Sequence, residues 1–259
     1  MEANHSAKRP MAAARRKLLD AALSVIRTKG YGATTIDKLC AEAGVAKGSF
    51  FHHFKNKTAL GIEAVDYWSQ NSDALFAAAP YHGCADPLDR VLGYIDFRKA
   101  MLTGKISEFT CLVGTMVQEV YESCPEIREA CEAGISGHAA TIVADIEEAI
   151  ERHGIRRNWT AQSLALHTQA VLQGAFILAK AKGNAAFAAA SVDHLRCYIE
   201  LLFQPANGPH GEDSHDQHIC GRTAGMSRDT GCRAGIQPFD EYQATGIGAI
   251  AITAAPGAE

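Results

Sequence analysis

The chain is 259 residues long, 47% hydrophobic and 21% charged, with a formal net charge of −4; this is globular composition with room for one large or two smaller domains, and no apolar run is long enough to cross a bilayer. The charge is unevenly spread: residues 1–60 hold eleven Lys/Arg against four Asp/Glu, a balance of +7, and the remainder carries −11. A basic head on an acidic body points to a polyanionic partner for the head, while the eight cysteines, far apart and without a CxxC pair, are expected as reduced thiols and not as a disulfide framework.

The first ten residues, MEANHSAKRP, read as a disordered basic arm. No apolar stretch with a cleavage site follows them, so a cytoplasmic location is expected. From Met11 to Lys29 the chain has helical periodicity: Leu18, Leu19, Ala22, Val25 and Ile26 recur on one side, and Arg15, Arg16, Lys17, Arg27 and Lys29 stay polar. Gly30 is placed to end that helix. In ATTIDKLCAEAG, Thr34 and Asp37 have capping-box-like spacing, and Thr35 is an equally good N-cap. Ile36, Leu39, Cys40 and Ala43 then form a narrow apolar stripe that Gly44 stops.

A third short helix is predicted over Val45–Phe54. Ala46, Phe50 and Phe54 are four apart and share the face that packs on the first two helices. Lys47, Gly48, Phe51, His52 and Lys55 fall on the other side. A helix, a Gly-containing turn and a second short helix make a helix-turn-helix. Such a unit lays its second helix in the major groove of duplex DNA, and the lysines answer the phosphates.

The remainder reads as helix after helix. Helix-forming sequence runs from Asn56-Lys57 to about Ala79, and Pro80–Pro87 interrupts it. Further helices are predicted over Leu88–Thr103, Phe109–Glu122, Pro125–His153 (ended by Gly154), from an N-cap at Thr160 to Lys182, and over Ala185–Phe203. Tyr94, Phe97, Met101, Phe109, Cys111, Met116, Tyr121 and His138 are candidate lining for a small-molecule pocket. The helix from Thr160 is apolar on more than one stripe, which a second copy of the chain would cover. The candidate interface is Leu164, Val171, Gly174, Ile177 and Leu178, with Leu195, Ile199 and Leu202 from the last helix. Residues 204–259, rich in Pro and Gly, read as a largely disordered tail. His210, His215, His218 and Cys220 within it are taken as solvated, and no metal or cofactor is assigned.

RRKLLDAALSVIRTKGYGATTIDKLCAEAGVAKGSFFHHFKNKTAL resembles the amino-terminal domain of TetR-family transcriptional regulators. The likeness lies in the apolar helix ending in KGY, the TT before the second helix, the AGV turn, KGSFFHHF, and the NK that opens the fourth helix. It implies an all-α chain, with a three-helix DNA-binding domain over 11–57 and a helical ligand-binding and dimerisation domain over 58–203. It also implies a dimeric regulator, expected to be a repressor of a palindromic double-stranded DNA operator, released by a small-molecule effector and not acting as an enzyme. Residue by residue, Thr34 or Thr35 would hold a phosphate, Lys47, Gly48 and Ser49 would open the recognition helix against the groove, His52 and His53 would touch bases or phosphates, and Lys57 would bind a phosphate. The family commonly has Tyr where this chain has Phe51, which leaves a thymine methyl as the substitute contact.

Two other readings follow from the residues. Cys111 stands at a predicted helix start, where the helix dipole lowers a thiol pKa, so a thiol-based sensor of oxidants or electrophiles is one alternative. A helical enzyme or ligand carrier without DNA function is the other. No nucleophile elbow, metal pair or phosphate loop supports an enzyme, and the +7 head argues against a carrier.

Overall fold

A computed structural model describes residues 11–204. The basic arm before Met11, the tail from 205 onward and the histidine cluster in that tail lie outside the described residues. Within them the chain forms α1 (Ala13–Lys29), α2 (Ile36–Ala43), α3 (Lys47–His53), α4 (Lys57–Ala77), a 3₁₀ turn at Pro80–Gly83, α5 (Pro87–Ala100), α6 (Ile106–Phe109), α7 (Leu112–Val120), α8 (Pro125–Ala140), α9 (Val143–Arg152), α10 (Ala161–Lys182) and α11 (Ala186–Leu202). No strand occurs among the described residues, and none of these helices is long and apolar enough to cross a membrane.

The helices sort into two units. The first takes the described residues up to Asn71 together with Leu112–Gly134. Its core is the α1 stripe Leu18, Leu19, Ala22, Val25 and Ile26, met by Leu39 and Cys40 from α2 and by Phe50 and Phe54 from α3. Helix α4 is fastened to α1 by polar contacts. Arg15 pairs with Glu63 and lies 5.3 Å from the centroid of the Phe54 ring. The Tyr67 hydroxyl donates to Asp20 at 2.9 Å. Arg27, which the periodicity assigns to the polar side, is buried. Its Nε donates to the Leu23 carbonyl, and its guanidinium lies 4.9 Å from the centroid of the Trp68 ring.

The second unit takes Ser72–Cys111 and the described residues from Ile135. Its core gathers Phe76, Val91, Tyr94, Ile95, Ile142, Ile146, Leu164, Leu172, Val192, Leu195 and Ile199. The sequence predicts one helix over Pro125–His153; the structure breaks it between α8 and α9. The Thr141 hydroxyl donates to the His138 carbonyl at 2.8 Å, diverting an acceptor from the helical ladder as Thr side chains do. The tightened turn buries Ile142, and α9 then buries Ile146, Ala149 and Ile150. The helix predicted over Phe109–Glu122 is likewise divided. Chain direction changes at Thr110, whose side chain is fully buried, and α7 begins after Cys111.

Candidate nucleic-acid interface

The short helices of the first unit owe their register to two local devices. Thr35 is the N-cap of α2, and its hydroxyl accepts from the Lys38 backbone N–H at 3.2 Å. Of the two threonines offered for that role, Thr34 is the buried one, and its hydroxyl donates to the Gly30 carbonyl at 2.6 Å. That hydroxyl is engaged inside the protein, whereas Thr35 is exposed at the start of the helix. At the other end of α2, Gly44 takes φ +63°, and the Val45 N–H reaches back to the Cys40 carbonyl at 3.0 Å. A left-handed residue here turns the chain directly into α3, and glycine adopts that conformation at least cost.

Helix α3 has the two faces its pattern requires. Phe50 and Phe54 are 0% and 2% exposed, with ring centroids 5.6 Å apart. Burial of each such ring contributes about 1.5–3 kcal/mol. Ala46, grouped with them by spacing, is instead the exposed N-cap of α3. Lys47, Gly48, Phe51 and His52 are exposed, and Ser49 and His53 are partly so. The Phe51 ring is 54% exposed and meets Phe50 edge-on. His52 and His53 lie with ring centroids 4.8 Å apart. The Lys47 ammonium pairs with Asp37 of α2 at 2.8 Å, with both side chains largely in solvent, and this carboxylate raises the lysine pKa. A Cβ added to Gly48 would meet nothing within 4 Å, so no packing inside the unit demands a glycine there.

Lys57 opens α4, behind the N-cap of Asn56, whose side chain accepts from the Ala59 N–H at 2.8 Å. The sequence assigns its ammonium to a phosphate. The structure turns it inward, where it donates to the carbonyls of Tyr31 and Thr34 at 3.1 and 3.0 Å and lies 4.3 Å from the Tyr31 ring centroid. Burial lowers its pKa. The same turn is held from the other side by Glu119 of α7, which accepts from the Tyr31 and Gly32 N–H groups at 3.2 and 2.7 Å. Gly30 precedes these donors at φ +84°, and a Cβ there would come within 2.3 Å of the Glu119 carboxylate. Residues 30–34, which lead into α2, are thus clasped between a cation and an anion. Sequence reading missed Glu119, because its partners are 87 and 88 residues away.

The remaining candidates divide between the units. Tyr94 and Phe97 belong to the core of the second unit, with Met101, Phe109 and Cys111 partly buried against it. His138 hydrogen-bonds Tyr94 there, with 3.1 Å between its Nε2 and the hydroxyl. Met116 and Tyr121 fall in the first unit; Met116 is fully buried and Tyr121 is 57% exposed. In the interface set, Leu164, Leu195 and Ile199 are corrected to core residues of their own unit, because α10 and α11 pack on each other through that side. Val171, Gly174 and Leu202 are partly exposed. Ile177 and Leu178 do face outward, accompanied by Leu166 and Phe187, apolar members of the same two helical patterns, and by Tyr198 and Leu201, which spacing did not single out.

Two family models match the chain. One, described as bacterial regulatory proteins of the tetR family, matches residues 18–64 and so covers most of α1 and all of α2 and α3. The other, described as a tetracyclin repressor-like C-terminal domain, matches residues 87–195. The chain belongs to the TetR family of transcriptional regulators. Among TetR-family relatives, transcriptional regulator AcuR of Cereibacter sphaeroides is 29% identical over 107 residues, 41% of this chain and 49% of that one. The match therefore spans about half the length of that relative. HTH-type transcriptional regulator LmrA of Bacillus subtilis is 25% identical over 178 residues, 66% of this chain and 88% of that one. A TetR transcriptional regulator from Chloroflexus aurantiacus has the same fold by crystal structure, with TM-score 0.64 and 26% identity, covering 72% of this chain and 94% of that one. The all-α expectation, a helix-turn-helix head followed by a helical body, is borne out.

Proposed function

We propose that this TetR-family regulator is a cytoplasmic repressor, not an enzyme, that binds a palindromic DNA operator as a homodimer and is released by a small molecule held in its second unit. The observation that carries the DNA reading is the outer face of α3. Lys47, Phe51 and His52 stand in solvent around a glycine that the fold itself does not need. An exposed glycine in a helix costs about 1 kcal/mol relative to alanine. Its retention makes sense where another surface approaches the backbone, as a groove edge does. Thr35 at the α2 N-terminus and Lys47 are placed for phosphates, and Ser49, Phe51, His52 and His53 for base edges and sugars. Lys57 acts by shaping the turn before α2, and its charge adds to the field.

Dimerisation is supported by the outward apolar side chains of two adjacent helices, Leu166, Ile177 and Leu178 on α10 and Tyr198 and Leu201 on α11. A grouped apolar surface of this kind calls for a partner, and two copies would place two α3 helices on half-sites one or more helical turns apart. Fluorescence anisotropy with duplexes from the flanking intergenic DNA tests the reading. Affinity falls steeply with salt, and Lys47→Glu weakens it on every duplex bound. Binding that is absent, or insensitive to salt, removes the proposal.

A further inference from the structure

Four helices bring a polar cluster into the aromatic core of the second unit: Phe76 from α4, Tyr94 and Arg98 from α5, His138 from α8 and Gln169 from α10. Tyr94 is wholly buried and Gln169 nearly so. The Gln169 amide donates to the Tyr94 hydroxyl at 2.9 Å, and that hydroxyl meets His138 Nε2 at 3.1 Å. The assignment that uses each group once has the hydroxyl donating to Nε2, so the histidine proton sits on Nδ1, 4.0 Å from Asp73. His138 stays uncharged at neutral pH, since burial first and the Arg98 charge second push its pKa down to about 3.

Two atoms of the cluster have no hydrogen-bond partner, His138 Nδ1 and Arg98 Nε, and Arg98 is the charged one. Its guanidinium carbon lies 5.1 and 5.8 Å from the ring centroids of Phe76 and Tyr94. Gln169 Oε1 is its hydrogen-bond acceptor, at a marginal 3.5 Å, and its Nε is buried with no acceptor. Other cations of the same unit are treated differently. Arg90 meets Asp145 and Glu148, Lys99 meets Asp193, and Arg196 meets Asp96 and Glu200. A cation taken out of water is strongly destabilising unless an anion and full hydrogen bonding accompany it. Arg98 is partly buried, and among the described residues no carboxylate forms a salt bridge with it, so an anion from outside the fold would complete its contacts.

Resting on the effector-responsive reading above, we infer that the second unit binds a small apolar carboxylic acid as its anion, the carboxylate on Arg98 and the body against Phe76 and Tyr94. The planar fork of a guanidinium matches a carboxylate in two parallel hydrogen bonds, one of which would give Nε the acceptor it lacks. With His138 neutral, Arg98 is the one cation of the cluster, and Asp73 stands on the far side of His138 from the Tyr94 hydroxyl, so the guanidinium suits a monoanion. The aromatic surroundings suit an apolar body and disfavour a strongly hydrated ion such as phosphate.

Thermal melting and titration calorimetry of the full chain test this with straight-chain alkanoates from acetate to octanoate and with benzoate. Each acid is paired with its primary amide, and inorganic phosphate is a separate arm. At least one acid raises the melting temperature saturably while its amide does not, and Arg98→Gln weakens that acid by at least about tenfold, as loss of a charge-assisted hydrogen bond does. If Arg98→Gln fails to fold, Arg98→Lys takes its place and binds the same acid more weakly while still preferring it to the amide. Three results overturn the inference: no acid binds, phosphate binds and the acids do not, or an acid binds unchanged to Arg98→Gln. DNA binding is measured separately on the same preparations. A protein that grips duplex but no acid defeats this inference alone, and one that takes the acid but ignores duplex defeats the proposed function.

Discussion

The two units use the same charged residue types in opposite ways. In the second, Arg90 is 15% exposed and its partner Asp145 is 18% exposed, and the pair closes at 2.6 Å. In the first, Lys47 and Asp37 pair at 2.8 Å with 56% and 74% of their side chains exposed. A pair withdrawn from water is costly to separate because each partner would be left buried alone. A pair in solvent is separated at almost no cost. The acidic body uses Arg90 and Arg196 to fasten helices through carboxylates, whereas the basic head leaves a cation such as Lys47 free to change partners. That is the difference between charge used to fasten helices and charge kept for a phosphate. Arg98 differs from Arg90 and Arg196 in that its Nε is buried without an acceptor beside the Phe76 ring, which is why it marks a site.

The comparison is broken most forcefully at the core that presents α3. Phe50→Ala removes a fully buried ring and is expected to cost about 3–5 kcal/mol, read as a large drop in melting temperature with loss of DNA binding. Next, Asp145→Ala strips one partner from the withdrawn pair. Roughly 2–3 kcal/mol of stability is lost, below the full cost of a broken buried pair because Glu148 remains. The matching change in the head, Asp37→Asn, leaves the denaturation midpoint nearly unchanged and raises DNA affinity at low salt by releasing Lys47.

His138 sharpens the contrast by pH. Its folded-state pKa lies below the ordinary value of 6.5, at about 3. Between those values the unfolded chain binds a proton that the native protein refuses, so stability falls as pH falls. The slope rises to about 1.4 kcal/mol per pH unit below the unfolded value, which integrates to about 1.6 kcal/mol between pH 6.5 and 5. Urea titrations across that window show the slope in the wild type and a flatter one in His138→Gln. Gly48→Ala shifts stability in the opposite direction. The protein gains up to about 1 kcal/mol from helix propensity while its DNA affinity drops by about tenfold or more. Opposite signs in the two measurements distinguish an interface glycine from a structural one; an unchanged affinity removes Gly48 from the interface.

Much of the fold was legible because helices announce themselves locally. The α1 stripe, the glycines at 30 and 44, and the spacing of Phe50 and Phe54 are each decided within a few residues. The break between α8 and α9 was not legible, because Thr141 is an acceptable helix residue until burial of Ile142 makes the tighter turn worthwhile. Arg98 did leave a trace. Val91, Tyr94, Ile95 and Arg98 occupy one helical stripe, and an arginine continuing an apolar stripe is a signal that can be read. Gln169 stands in the same relation to Ala165 and Leu172.

By itself the sequence determined the helical periods, the two-faced α3 helix and the charge imbalance between head and body, since all three are written in residue order and composition. Only the tertiary structure decided which of two adjacent threonines caps α2, and that Lys57 is captured by carbonyls up to 26 residues away. It alone decided that Leu164, Leu195 and Ile199 face inward while Ile177 and Leu178 face out. The reason is physical: periodicity fixes the side of a helix on which a residue stands, but hydrogen-bond partners and counter-charges come from segments that only packing brings near.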